Sequence, residues 1–182
     1  MGTVHKQLMD KWLEPIEACI KSIEWDPKRV VDPFEGLSYK LKDTQGLLFA
    51  LNQGGVLVFN EDGLAKERGA RGPMLQMWPA GGAVPAKEPK AFAEGLLREN
   101  HIIVLEVETV EPIKVNRLPG FEVTARSLKG GEEAVAHLVV LFDKDLHWIT
   151  LAEAGNEHRE SALPKLKAMA RSFERDKPKT SK

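Results

Sequence analysis

Apolar side chains recur every three or four residues in three parts of the chain. Over residues 3–23 this spacing predicts an amphipathic helix that begins after Thr3 and that Pro15 should kink or split. A second helix is predicted from Pro89, which suits a first helical turn, to Asn100. A third is predicted from Ser161, a residue type that caps helix N-termini.

Between these helices the pattern changes to short runs of apolar and β-branched residues, which are typical of strands. The predicted strands cover residues 37–42, 47–51, 56–60, 73–78, 101–109 and 113–118. The segment Asn52-Gln53-Gly54-Gly55 supplies residues that tolerate a positive φ, and it therefore predicts a hairpin turn.

Residues 120–155 form the longest apolar and β-prone stretch, and they predict three consecutive strands. Gly130-Gly131 and Asp143-Lys144-Asp145 mark the two turns between them. Such short turns require antiparallel neighbours, because a parallel return needs a crossover of about a dozen residues or more. The predicted fold class is α+β, with a single antiparallel β-sheet of about six to eight strands flanked by helices.

The length of 182 residues suits one main hydrophobic core. We therefore expect an N-terminal helix and proline-bearing linker over residues 1–35, one α+β domain over residues 36–175, and a disordered tail over residues 176–182.

Charge and hydropathy exclude several classes of protein. A net charge of −1 gives no positive field of the kind that concentrates nucleic acid, so no nucleic-acid partner is expected. No apolar run reaches the roughly 20 residues of a transmembrane helix. The first residues do not form a signal peptide, which predicts a cytoplasmic protein as the sequence stands; the alternative is an exported protein whose signal has been removed.

Several sequence motifs in the second half of the chain resemble those of a known protein family. The step Leu118-Pro119-Gly120 into a strand, the glycine turn that follows, the aromatic strand around His147-Trp148 and a last helix that closes on Ser172-Phe173 resemble the Mog1/PsbP-like superfamily. The chain is similar to small bacterial PsbP-like proteins and to modules appended to some exported metalloproteases. The resemblance implies a non-enzymatic accessory or docking protein, without common catalytic residues and without a cofactor.

Candidate metal ligands and catalytic groups are few. His137 and His147 flank a predicted hairpin that places them opposite Leu151 and Leu141, about 13 Å apart, so we do not expect them to share a metal ion. Glu153, Glu157, His158 and Glu160 are predicted in one charged loop before the last helix, and this loop favours solvent exposure over a divalent cation site or a hydrolytic site that uses Glu157 and His158. Cys19 lies on or beside an apolar helix stripe, which favours a buried, inert thiol.

The candidate binding residues are Trp78, Arg68 and Arg71. The two arginines belong to a local basic loop, and Trp78 precedes a loop rich in proline and glycine that could be an exposed recognition element, whereas Trp148 is expected in the core. Our leading hypothesis is a non-catalytic module that binds a protein partner. The alternative is a carrier of a small apolar ligand or lipid, suggested by the two-sided apolar run Ala134 to Phe142, and an uncharacterised hydrolase is the least favoured.

Overall fold

The computed structural model describes residues 9–22, 32–65, 71–82, 88–100, 102–144 and 146–175. The chain divides into two compact units, residues 1–32 and residues 33–182, and each is described by itself. The predicted disordered tail, residues 176–182, lies outside the described residues.

The first unit contains helix α1, Met9–Lys21. The helix is one element that continues through Pro15, where a kink or break was predicted. Its described side chains are exposed, including the apolar Leu13, Ile16 and Ile20. Cys19 shares this exposure, so the prediction of a buried thiol is wrong: the helix is amphipathic, but its apolar stripe is not buried.

Among its described residues, the second unit contains two further α-helices and nine strands. The helices are α2 Pro89–Glu99 and α3 Arg159–Arg171. The strands are β1 Tyr39–Leu41, β2 Leu48–Gln53, β3 Val56–Asn60, β4 Met74–Gly81, β5 Ile103–Val115, β6 Leu118–Lys129, β7 Glu132–Asp143, β8 Leu146–Gly155 and β9 Phe173–Arg175.

Seven strands form an antiparallel sheet in the order β2-β3-β4-β8-β7-β6-β5, and β1 pairs with β9 in a separate two-stranded sheet. The predicted α+β class with an antiparallel sheet is confirmed. The sequence reading differs in three details. The pairing of β1 with β9 makes a second, small sheet instead of a single one, and β9 was not predicted. The two strands predicted over residues 101–109 and 113–118 are largely one strand, β5, which runs through Pro112, while Leu118 already belongs to β6. An edge strand tolerates proline, because its outer side needs no backbone N–H donor for a neighbouring strand.

The sheet has two buried faces, each with its own hydrophobic core. On the α3 face, Leu166 and Met169 of α3 pack with side chains such as Leu75 and Val139. On the α2 face, Leu96 and Leu97 of α2 pack with buried side chains of β6, β7 and β8, such as Leu138.

Strand β7 contributes alternate residues to both cores, for example Val139 to one and Val140 to the other. This position explains why residues 134–142 are apolar without alternation, since a strand buried on both faces has no polar side.

Local sequence features set two details of this arrangement. A Cβ atom on Gly120 would lie 1.9 Å from the carbonyl oxygen of Val140, so the glycine of the Leu118-Pro119-Gly120 step allows β6 and β7 to approach closely. Helix α3 begins at Arg159, after a single 3₁₀ turn at Asn156–His158, and so begins before the predicted cap Ser161. The Ser161 hydroxyl instead donates a hydrogen bond to the carbonyl oxygen of His158.

Candidate functional site

The α2 face of the sheet is only partly covered. Helix α2 packs against β5, β6 and β7, while Val56, Val58 and Gln76 on β3 and β4 remain partly exposed. A cleft of about 620 Å³ opens beside α2 at this place. We call it the open cleft; its lining includes Val56, Val58, Asn60, Leu64, Met74, Gln76, Asn100, Ile102, Ile103, Leu128, Lys129 and Glu153.

Two oppositely charged side chains line the open cleft. Glu153 lies on β8, paired laterally with Met74 and Ala136, and Lys129 is the last residue of β6. Burial raises the pKa of the Glu153 carboxyl above its ordinary value, and the positive charge of Lys129 opposes that rise. The described lining of the cleft thus contains one carboxyl group and one ammonium group.

Two of the amide side chains that line the open cleft, those of Asn60 and Asn100, form hydrogen bonds with the local backbone. The Asn60 side chain donates to the carbonyl oxygen of Leu64 at 2.7 Å and accepts from the N–H of Gly63 at 2.7 Å. Asn100 donates from Nδ2 to the carbonyl oxygen of Leu96 at 2.7 Å. These bonds hold the loop after β3 and the end of α2 in place. The charged side chains of the described lining are those of Glu153 and Lys129.

The mouth of the open cleft carries large apolar side chains that water contacts. Leu64 is 63% exposed and Ile103 is 61% exposed. Leu48 is also exposed, and it lies next to Gly63, the residue before Leu64. The two are so close that a Cβ atom built on Gly63 would be 3.1 Å from the Leu48 Cβ atom. Leu48 therefore lies beside the mouth of the cleft. Exposed apolar groups that cluster around a concave site are typical of a binding surface.

Trp78 lies on the same face as Glu153, towards the opposite end of β4. It pairs with Ile149 and packs partly buried against the α2-face core, so it is a strand residue and not part of an exposed loop. With His147 and Phe92 it lines a second, shallower cavity of about 430 Å³. Burial lowers the pKa of His147, and a hydrogen bond with the backbone of Gly82 opposes that shift.

The predicted basic loop lies only partly within the described residues. Arg68 lies outside the described residues. Arg71 donates two hydrogen bonds to the Glu157 carboxylate and forms an ion pair with Glu132. Its carbonyl oxygen accepts a hydrogen bond from the N–H of Gly155 at 2.8 Å. Arg71 therefore binds the end of β8 through its backbone, and it binds Glu157 and Glu132 through its side chain.

The loop with Glu157 and His158 does not have the properties of a hydrolytic pair. The hydrogen bonds from Arg71 lower the pKa of Glu157 to about 2. His158 Nε2 lies 3.8 Å from the Glu157 carboxylate on a partly exposed surface. A carboxylate with so low a pKa is a weak general base near neutral pH. This geometry favours a structural ion pair at Glu157.

The two hairpin histidines lie on opposite faces of the sheet. His137 pairs with Ala152 and His147 with Phe142, which shifts both pairings by one residue from the predicted partners Leu151 and Leu141. A shift of one residue reverses the face on which a strand side chain lies.

His137 belongs to a buried polar group on the α3 face, which we call the Glu122 cluster. Glu122 accepts hydrogen bonds from Arg171 of α3, with the Nε atom at 3.0 Å, and the Lys167 Nζ atom lies 3.4 Å away. His137 Nε2 lies 3.5 Å from Glu122 Oε1, and its Nδ1 lies 3.4 Å from the Thr124 hydroxyl. The cluster thus connects α3, through Arg171 and Lys167, with Glu122 of β6 and His137 of β7.

The pKa values of the Glu122 cluster follow from its burial and its charges. Burial alone would raise the pKa of Glu122, but the hydrogen bonds from Arg171 and the positive charges of Arg171 and Lys167 lower it on balance. Burial lowers the pKa of His137 to about 4, and the Glu122 charge opposes that change. The cluster therefore holds an ionised carboxylate beside a neutral imidazole at neutral pH.

Sequence reasoning missed Glu122 and Lys129, and it assigned Glu153 to a charged loop rather than to the sheet. Glu122 and Glu153 stand at inward-facing positions of β6 and β8, among neighbours that are apolar or small. A charged residue at a position that should be buried was the available signal, because such groups are rare in cores unless they are paired.

Within the described ranges, no three or more histidine, cysteine, aspartate or glutamate side chains come together as a metal site. No helix among the described residues is long and apolar enough to cross a membrane. Fold and site together define an α+β protein with one closed sheet face and one face that carries an open, largely aliphatic cleft.

Comparison with known proteins identifies the fold. No protein-family model and no curated protein matches the chain. Its structure is similar to the Ran-binding protein Mog1p of Saccharomyces cerevisiae, with a TM-score of 0.53 and 13% identity over 79% of this chain and 93% of Mog1p.

It is also similar to LpqN of Mycobacterium tuberculosis, a protein involved in cell envelope biogenesis, with a TM-score of 0.51 and 10% identity over 74% of this chain and 81% of LpqN. The chain spans 46% of the length of a Bacteroides thetaiotaomicron protein that it matches at 10% identity over 78% of its own length, with a TM-score of 0.47. The protein has a Mog1/PsbP-like fold.

Proposed function

We propose that this protein is a non-catalytic accessory module that binds a protein partner through the open cleft and its apolar rim. The observation that carries the proposal is the exposure of Leu64 and Ile103, both more than 60% exposed at the mouth of a cleft of about 620 Å³. Apolar side chains of a partner would bury this rim, which is otherwise in contact with water. The similarity to Mog1p, a Ran-binding protein, supports a protein-binding role for this fold.

Site-specific photo-cross-linking in the native host tests this proposal. A cross-linking amino acid at Ile103 should give an adduct of one discrete mass, because the partner covers the rim. The matched control is the same amino acid at Lys165, an exposed position on α3, which should not give that adduct. The substitution Leu64→Asp should abolish the Ile103 adduct, since it places a charge at the apolar mouth. Equal adducts from both positions, or none from Ile103, would contradict the proposal.

A second candidate function is a carrier of a small apolar ligand. The open cleft has a volume within the range of about 300–1,000 Å³ that small-molecule sites usually have. The apolar run of residues 134–142, which first suggested a carrier, follows from the two cores around β7, so the cleft itself now supports this candidate. Native mass spectrometry of protein purified from its host should show an added ligand mass, which Val58→Asp removes.

A further inference from the structure

We infer that the second cavity, which Trp78, Phe92 and His147 line, binds an arginine side chain of the protein partner. This inference rests on the proposed protein-binding function, because it names a group of the partner that meets the α2 face. Asn100 lines both cavities, and Gln76 of the open cleft is two residues from Trp78 on the same face of β4. A partner that covers the rim of the open cleft therefore needs little further reach to cover the second cavity.

The second cavity has aromatic walls, whereas the described lining of the open cleft contains no aromatic side chain. Phe92 and His147 pack edge to face with their ring centroids 5.2 Å apart, so each ring holds the other in position. His147 is buried, and Trp78 is partly exposed. A guanidinium group packs favourably on such rings, because its positive charge is attracted to the negative face of the π system.

The charge around the second cavity favours a cation. Glu99 is the acidic side chain of its described lining, and it forms no ion pair with another described residue. It is also the last residue of α2, and the C-terminal end of a helix carries a partial negative charge. Arg98, in the same turn, does not line the cavity. Burial lowers the pKa of His147, so the imidazole is neutral near neutral pH and does not repel a cation.

An arginine side chain suits this cavity better than a lysine side chain does. A planar guanidinium group can stack on Trp78 while its N–H groups donate to the Glu99 carboxylate. The lysine ammonium group is compact and strongly hydrated, so it loses more hydration on an aromatic surface. The aromatic contact and the partly solvated ion pair should together favour arginine over an uncharged side chain of the same shape by about tenfold in affinity.

NMR titrations of the full chain test the chemistry of the second cavity. The probes are arginine, citrulline and lysine, each with an acetylated amino group and an amidated carboxyl group. Citrulline has the shape of arginine without its charge. The backbone amide signals of Gly81 and Asn100, which line the cavity, report binding. We expect blocked arginine to bind about tenfold more tightly than blocked citrulline, and more tightly than blocked lysine. Equal affinities for arginine and citrulline would overturn the inference.

Variants show whether the cavity is the source of this preference. Glu99→Gln keeps the size of the side chain but removes its charge, and it should weaken arginine binding by about threefold. Trp78→Leu removes an aromatic face and should weaken it by about fivefold. Glu94→Gln is the matched control, since it makes the same charge change on α2 away from the cavity lining and should have no effect. Equal effects of the two glutamate variants would show that net charge selects the cation, which contradicts the inference. Circular dichroism confirms that each variant is folded, and Glu99→Gln, at an exposed position, serves where Trp78→Leu folds poorly.

Photo-cross-linking in the native host separates this inference from the function on which it rests. Glu99→Gln should lower the yield of the Ile103 adduct by about threefold, whereas Glu94→Gln should leave it unchanged. If the adduct forms but blocked arginine shows no preference over citrulline, the proposed function stands and the inferred arginine is wrong. If blocked arginine binds but Ile103 gives no adduct, the proposed function is wrong, and so is the assignment of the arginine to a partner. An adduct yield that Glu99→Gln leaves unchanged would also contradict the inference.

Discussion

The two faces of the sheet each contain a glutamate, but their surroundings differ. On the α3 face, Glu122 is 3% exposed, and Arg171, Lys167 and His137 all lie within 3.5 Å of its carboxylate. On the α2 face, Glu153 lines an open cleft with Lys129 as its charged neighbour. The pKa of Glu122 is lowered, whereas that of Glu153 is raised.

This difference separates a structural carboxylate from one that is available to a ligand. The Glu122 carboxylate is stabilised by a hydrogen-bonded arginine and further positive charge, so its interactions are with the fold itself. The Glu153 carboxylate loses more through burial than Lys129 restores, and the cleft leaves space beside it. A perturbed, incompletely compensated group in a cavity is a candidate binding group, whereas a well-compensated one favours a role in stability.

The largest difference between the faces should appear on truncation of a methionine. Met169 on α3 is fully buried, whereas Met74 lines the open cleft and is partly exposed. Met169→Ala should lower the free energy of unfolding by about 4 kcal/mol, because it leaves a cavity in a closed core. Met74→Ala should cost about 1 kcal/mol, since solvent or a ligand can occupy the space. Urea denaturation measures both, and equal losses would show that the α2 face is as closed as the α3 face.

Acid should destabilise the protein through His137. Its pKa is about 4 in the folded protein against an ordinary value of 6.5, so between these values the unfolded chain binds more protons. Stability therefore falls as the pH decreases from about 6.5 to about 4, by a total of about 3 kcal/mol for this residue. Thr124, Glu122, Lys167 and Arg171 are the polar and charged groups in contact with it or nearby.

The substitution His137→Gln tests this assignment. It should flatten the pH dependence of the urea midpoint between pH 6.5 and 4, because the variant has no imidazole to protonate at that position. His147 also has a lowered pKa and acts in the same direction, while the raised pKa of Glu153 acts in the opposite one, so the comparison is made between matched proteins. An unchanged slope would assign the acid sensitivity to other groups.

The two glutamates should respond differently to neutralisation. Glu122→Gln should cost about 2 kcal/mol, because Arg171 and Lys167 lose their anionic partner but remain partly exposed to solvent. Glu153→Gln should change stability by less than about 1 kcal/mol, since it relieves the burial of a carboxylate while it removes the partner of Lys129. Thermal and urea denaturation at neutral pH compare the variants, and a larger loss for Glu153→Gln would reverse the proposed roles.

The sequence predicted the sheet better than it predicted the site, for physical reasons. Strand patterns and the glycine turn at Gly130-Gly131 are local, so the hairpins between β6, β7 and β8 follow from nearby residues. The pairing of β1 with β9 joins distant segments, and a strand of three residues has too little periodicity to be recognised.

The open cleft depends on long-range placement. It exists because α2 packs on β5, β6 and β7 and leaves β3 and β4 partly exposed, which no single segment encodes. Trp78 was predicted at the end of a strand, beside a loop expected to be exposed, whereas β4 continues to Gly81 and Trp78 packs partly buried on the α2 face. Glu153 and Lys129 belong to two strands separated by β7, so their place in one cleft is visible only after the sheet order is known.

The smallest effect should come from a surface ion pair on the closed side of the molecule. Arg159, at the start of α3, forms an ion pair with Glu108 of β5, and their side chains are 29% and 25% exposed. Arg159→Gln should lower the free energy of unfolding by about 0.5 kcal/mol, because solvent screens both charges. The loss should shrink further in high salt, which shortens the range of charge interactions. Urea midpoints at low and high salt measure it. A loss as large as that of Glu122→Gln would mean that the number of ion pairs, and not their burial, distinguishes the closed face from the open one.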